Sequence, residues 1–200
     1  PAGLGLTELA AATGISKAAV HRSLGDLMLL DYVVQDGANG RYRLSLKLFS
    51  IAFRNVSGID IVGIAQPVIE DLARQTSELV RLSLVDGDRL VCVAKAQGST
   101  RGLRFDDDLG AEANLYLTAT GAAWMACLGD EEAFALIDRQ GAVNPEPGPG
   151  APKSREEYHS RLDFVREHGY AWVRDSNEVG IAGVAAPVLS GNEVIGVLTV

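Results

Sequence analysis

Reactive side chains are scarce in this chain of 200 residues, which holds three histidines and two cysteines. Cys92 and Cys127 lie far apart, form no C-x-x-C and have no histidine at metal-ligand spacing. They read as two buried, reduced thiols of a cytosolic protein rather than as a disulfide framework. His21 stands near the start, and His159 and His168 share one helical stretch. No nucleophile elbow or phosphate-binding loop accompanies them. These absences argue against an enzyme, and no metal or cofactor is expected. Asp106-Asp107-Asp108 is a carboxylate run that reads either as a solvated loop or as a cation site. No apolar run approaches the ~18 residues that a membrane span needs. Nor do the opening residues carry a basic-then-apolar leader pattern, so the expectation is a cytoplasmic protein with no membrane partner.

Positive charge is also in short supply, 18 Lys+Arg against 26 Asp+Glu, for a net charge of −8. The deficit is uneven. Residues 1–54 hold six Lys/Arg against four Asp/Glu, whereas residues 55–200 hold twelve against twenty-two. An acidic body with a mildly basic head suits a protein that meets a polyanion at one end only.

Residues 6–44 read as a winged helix-turn-helix. A short helix pattern beginning at Thr7, taken as its N-cap, ends at Gly14, where glycine enters the left-handed cap conformation without a Cβ clash. Ser16 then caps a second helix over 17–30. Strand-like runs at 32–35 and 41–44 flank a turn at 36–40. In the second helix Val20, Leu24 and Leu27 share one face, leaving Ala18, Arg22 and Gly25 opposite, with Ala19 and His21 beside them. Such a helix, with Lys17 in its first turn, has the form of a recognition helix for the DNA major groove. Ser16, Lys17, Ala18, Ala19, His21 and Arg22, with Arg41 and Arg43 of the wing, are the expected DNA-facing residues. Arg22 can grip guanine O6 and N7 together. Lys17, Arg41 and Arg43 suit phosphate, which sets position rather than sequence. Each of these charges also has a plain reading as a solvated surface group, and His21 as an ordinary helix-flank residue.

Leu46, Leu48, Phe49, Ala52 and Phe53 form the apolar stripe of a further helix. A helical stretch over 61–76 contains Pro67, which should kink or restart it. The period then changes to two, with strands at 80–85 and 89–94 around Asp86-Gly87-Asp88. A helix is expected over 122–128, another from Asp130, and a third from the capping box at Ser154 to Gly169. Three strands close the chain, at 170–174, 181–189 and 193–200. A mostly antiparallel sheet with helices packed on it makes the fold class α+β.

Several of these segments resemble the IclR family of bacterial transcription regulators. In the head they are Leu6-Thr7-Glu8-Leu9-Ala10, Gly14-Ile15-Ser16-Lys17, Val20-His21-Arg22 and Gly40-Arg41-Tyr42-Arg43-Leu44. In the body they are Leu117-Thr118-Ala119-Thr120-Gly121-Ala122-Ala123, Gly169-Tyr170-Ala171 and the run from Gly180 to Val188. The resemblance implies a winged helix-turn-helix over 1–45, whose first helix lies upstream of Pro1, a linker helix over 46–58 and a GAF-like effector-binding domain over 59–200. Both ends of the chain are expected to be trimmed. It further implies a homodimer, with a dimer of dimers as the larger assembly, bound to a double-stranded operator. The expected role is control of a catabolic operon, as repressor rather than activator, in response to a small organic or aromatic carboxylic acid. A GAF-like enzyme acting on a small molecule is the alternative.

Family resemblance places the effector pocket at Ala119, Thr120, Gly121, Val173, Ile181, Gly183 and Thr199. Backbone N–H groups at a helix start are suited to a carboxylate. Capping is the competing role for Thr118 and Thr120. The chain departs from its relatives in having Ala18 and Ala19 where hydroxyl residues are common, and Ala122 where lysine is usual. It also lacks the carboxylate and cysteine that some acid-binding members place near Val173 and Gly183. Tyr116, Trp124, Met125 and Trp172 nearby would suit a larger or aromatic effector, or simply a core.

Overall fold

The computed structural model describes residues 3–37, 40–48, 50–51, 61–100 and 109–200. The chain forms two compact units, Pro1–Asp60 and Ile61–Val200.

In the first unit α1 spans Leu6–Thr13 and α2 spans Lys17–Leu29. The N-cap of α1 is Gly5 rather than the expected Thr7, because the Glu8 carboxylate reaches back to accept the Gly5 N–H at 2.7 Å. Gly14 ends α1 with φ of 69°, and Ser16 caps α2 by accepting the Ala19 N–H at 3.3 Å. Val20 and Leu24 are buried as expected, but Leu27 is 38% exposed and Met28 packs on the core instead. The stripe thus continues by fours, which keeps its last member over Val33 and Tyr42. The wing is β1 (Val33–Gln35) paired antiparallel with β2 (Tyr42–Leu44). Leu4 adds one further rung, exchanging both backbone bonds with Tyr42 at 2.9 and 2.8 Å. Leu46 to Leu48, Ser50 and Ile51 are helical. Phe49, Ala52 and Phe53, and likewise Asp106 to Asp108, lie outside the described residues.

The second unit opens with α3, Ile61–Thr76. Pro67 sits inside it, and the helix neither stops nor restarts there. Proline inside a helix costs about 3 kcal/mol, and each fully buried large apolar side chain returns about 1.5–3 kcal/mol. Ile69 and Ala73 are buried, and Val62, Ala65 and Leu72 pack beside them on Val80, Leu82 and Ala94, so packing offsets the lost bond. The sheet comprises β3 (Leu79–Asp86), β4 (Arg89–Gln97), β5 (Ala171–Arg174), β6 (Ala182–Ser190) and β7 (Glu193–Thr199). Its order is β4-β3-β7-β6-β5, and every pair is antiparallel. Alternate residues face opposite sides: Leu198 packs with the α3 cluster and Val197 with the cluster beneath the remaining helices.

Those helices are α4 (Ala119–Met125), α5 (Asp130–Gln140) and α6 (Arg155–His168). The first starts three residues earlier than expected, because Thr118 is its cap and accepts the Gly121 N–H at 3.0 Å. Ser154 caps α6 at Glu157 N, and Gly169 ends it with φ of 81°. In its first turn Tyr158 is fully buried and donates to the Leu115 carbonyl at 2.7 Å. A surface ion network joins the same three helices. Arg166 donates to the Ala126 and Leu128 carbonyls at 3.0 and 3.1 Å and to Asp130 at 2.6 Å. His159 contacts Asp130 at 2.6 Å and Asp163 at 3.0 Å.

The hydrogen bond that His159 donates to Asp130, then the charges of Asp130 and Asp163, hold the His159 pKa above 6.5. Because the folded value is raised, its contribution to stability is present below the unfolded pKa and is lost as pH rises through the folded one. The His159 ring resonances should therefore titrate with a midpoint above 6.5, and Asp130→Asn should move that midpoint back toward it. A wild-type midpoint at or below 6.5 would contradict the network.

Candidate DNA-binding and effector sites

The exposed side of α2 presents Lys17, Ala18, His21 and Arg22, with Ala19 half-buried beside them. Among the described residues, Lys17, His21 and Arg22 have no ion-pair or side-chain hydrogen-bond partner. The helix core, Val20 and Leu24, holds this face outward, and Ser16 consumes its first-turn donor at Ala19.

The wing arginines are engaged differently. Arg41 donates to Glu8 at 2.8 Å and to the Gly3 carbonyl at 2.9 Å, tying the wing to α1. Arg43 pairs with Asp36 at 3.1 Å across the wing turn. Both pairs are about half exposed, and such surface pairs are worth only about 0–1 kcal/mol. A phosphate can compete for either arginine at little cost. Two groups escaped the sequence reading. Glu8 serves as both cap acceptor and wing anchor, its pKa lowered first by the Gly5 N–H and then by the Arg41 charge. Lys47 donates to the Leu30 carbonyl at 2.8 Å and lies over the Tyr32 ring. The spacing of Glu8 three residues after Gly5 was the available signal for the first.

In the second unit, α4 comes down on the sheet where β5, β6 and β7 run side by side. Thr120 and Thr199 are both buried, and their hydroxyls meet at 2.9 Å across 79 residues of sequence. Gly183 pairs with Val173 in the sheet, and a Cβ built on it would stand 3.7 Å from the Ala119 Cβ and from the Val200 carbonyl. Ala119, Thr120, Val173, Gly183 and Thr199 are thus brought together. Ile181 is half-buried just before β6, its carbonyl accepting from Asp175 at 2.8 Å. Gly121 serves packing: a Cβ there would come within 2.4 Å of the Leu115 carbonyl. Its N–H and that of Ala122 are taken by Thr118, which leaves those of Ala119 and Thr120 without an acceptor among the described residues.

Of the nearby aromatics, Trp124 belongs to the core, and Met125 with it. Trp172 is 52% exposed on the face of β5 opposite Val173. Tyr116 is half-buried and stacks on Tyr158 with centroids 4.7 Å apart. Among the described residues, no group of three His, Cys, Asp or Glu side chains could hold a metal ion. No helix there is long and apolar enough to cross a membrane.

Comparison with known proteins agrees with both units. Residues 1–37 match the IclR helix-turn-helix domain, and residues 53–200 match the C-terminal domain of the bacterial transcriptional regulator IclR. The chain belongs to the IclR family. It is 33% identical over 185 residues to the HTH-type transcriptional regulator XynR of Escherichia coli, covering 92% of this chain and 72% of that one. It is 29% identical over 191 residues to the DNA-binding transcriptional repressor YiaJ of the same organism, covering 94% and 67%. An IclR homologue from Microbacterium hydrocarbonoxydans, solved in complex with 4-hydroxybenzoate, shares the fold with a TM-score of 0.83 at 17% identity, covering 100% and 81%. The protein is therefore a DNA-binding transcriptional regulator and not an enzyme.

The Thr120–Thr199 contact generates a thermodynamic test of the effector unit. Thr120→Val leaves the Thr199 hydroxyl buried and unpaired, which should cost about 1–3 kcal/mol. Replacing both threonines by valine should cost less than the two single losses added together. Urea denaturation of the four proteins measures the cycle, and additive losses would show that the hydroxyls do not interact.

Proposed function

We propose that this IclR-family regulator is a ligand-responsive repressor of a catabolic operon. It would bind its operator through α2 and the wing and sense a small organic or aromatic acid in the 59–200 domain. The observation that carries the reading is the exposed face of α2, where Lys17, His21 and Arg22 have no partner among the described residues. In this reading Arg22 reads a guanine by its two-donor fork. With Ala18 and Ala19 able to offer only a methyl contact to thymine, direct readout falls mainly on that arginine. Ser16, Lys17 and His21 hold phosphates, and Arg41 and Arg43 exchange Glu8 and Asp36 for phosphates on docking.

The effector would lie against Ala119, Thr120, Gly121, Val173, Ile181, Gly183 and Thr199. The N–H groups of Ala119 and Thr120, with the threonine hydroxyls, are the donors for its carboxylate. The complex of the Microbacterium relative with an aromatic acid supports that ligand class, and the repressor role of YiaJ supports the direction of control. The protein would act as a homodimer, assembling further into a dimer of dimers, with the linker helix over 46–58 joining each head to its sensor. Effector binding would change the spacing of the paired heads and so their fit to two half-sites.

Fluorescence anisotropy with the intergenic DNA upstream of the gene tests the head. Binding should weaken steeply with salt, and Arg22→Ala should cost about 1–3 kcal/mol at one base pair while leaving non-specific binding in place. Absence of salt-sensitive, sequence-preferring binding would overturn the proposal. A thermal-shift screen of organic and aromatic acids tests the sensor. A stabilising acid whose effect survives in the Thr120→Val, Thr199→Val double variant would place the effector elsewhere.

A further inference from the structure

The second unit also carries an open cleft of about 440 Å³, within the size range of small-molecule sites. It lies along the connection between α5 and α6, and of the residues named above in connection with the effector only Tyr116 lines it. Its wall is apolar and aromatic. Tyr116 is held rigid by stacking on buried Tyr158, Phe134 meets the same ring edge-on, and Ile137 and Val143 complete the apolar surface.

The polar groups in this cleft point to what it takes. Asn114 is 8% exposed, and its Oδ1 accepts the Tyr116 and Leu117 N–H groups at 3.1 and 3.0 Å. Two donors on that oxygen fix the amide's orientation, since a flipped amide would oppose N–H to N–H. Nδ2 is left with no acceptor among the described residues, yet it is not sealed from solvent. The Tyr116 hydroxyl is already used, 3.1 Å from the Ser154 carbonyl. At the rim Arg155 lies over the Phe134 ring, 4.9 Å from its centroid, and places Nη2 on both oxygens of Asp138. Its Nε and Nη1 have no acceptor among the described residues.

We propose that this cleft is a second ligand site, specific for a monocyclic aromatic carboxylate. The ring would lie against Tyr116, Phe134 and Ile137, and the carboxylate would accept from Asn114 Nδ2, with Arg155 as the neighbouring cation. Asp138 cancels most of the arginine's charge, so aromatic burial and the amide bond supply the selectivity rather than net attraction. The proposal stands apart from the effector site at Thr120 and Thr199 and does not depend on it.

The test is a sodium benzoate titration of the methyl-labelled full chain followed by NMR. Ile137 and Val143 methyl resonances should shift saturably, in the wild type and equally in Thr199→Val. Asn114→Asp keeps the oxygen that accepts from Tyr116 and Leu117 but turns the amide donor into an acceptor. It should weaken these shifts about tenfold or more while the rest of the spectrum stays in place. Val143→Trp, which fills the cleft from an exposed position, should abolish them and serves if Asn114→Asp does not fold. No saturable shift at Ile137 and Val143, or wild-type affinity in Asn114→Asp or Val143→Trp, would overturn the proposal. Shifts confined to residues around Thr199 would overturn it while leaving the effector reading intact.

Discussion

A seven-residue helix buried along its whole length leaves its neighbours little freedom, and α4 is such a helix. To sit between the sheet and the Asn114–Leu115 segment it must be narrow, so Ala119, Gly121, Ala122 and Ala123 line it and Gly121 leaves no room for a methyl. A polar side chain in this position has to find its partner inside the protein, and Thr120 finds Thr199. The same close approach brings Tyr158 onto the Leu115 carbonyl and orients Asn114, whose Oδ1 closes the turn ahead of Thr118. The expected effector contacts and the aromatic cleft thus flank one tightly packed element from two sides.

The head works under looser constraints. Its core is small, Val20, Leu24, Val33 and Tyr42 with a few half-buried neighbours, and its wing is held partly by exposed ion pairs. This division suits contact with a polyanion. The cations on the rigid helix have no partner among the described residues, whereas those on the wing are held by carboxylates that a phosphate can displace cheaply. The acidic balance of the remaining chain adds a field that favours DNA approach from the head.

Local signals were the legible ones. Gly14, Ser16, Ser154 and Gly169 mark helix ends because a cap or a left-handed turn is decided within four residues, and all four act as read. The hairpin at Gly87 and the closing strands were legible for the same reason. Thr7 misled because Gly5 has no side chain, and its N–H is satisfied by Glu8 reaching back. Pro67 does not restart its helix, because tertiary packing outweighs a single missing bond. Leu27 and Met28 compete at the end of α2, where spacings of three and four are both available, and the wing decides between them. The pairings of Thr120 with Thr199 and of Arg41 with Glu8 join residues far apart in sequence, so no local pattern announces them. The small residues near Gly121 and Gly183 could be named from resemblance, but the reason for their size is visible only in the packed sheet.

The central claim is that the free face of α2 reads bases while the wing holds the backbone. Arginine side-chain NMR, following the Nε–Hε resonances of Arg22, Arg41 and Arg43, tests it most directly when operator and random duplexes are added in turn. Arg22 should shift strongly with the operator alone, and Arg41 and Arg43 with both duplexes as their carboxylate partners are exchanged for phosphates. An Arg22 resonance indifferent to the operator, or wing arginines that stay on Glu8 and Asp36 in the bound state, would contradict the account.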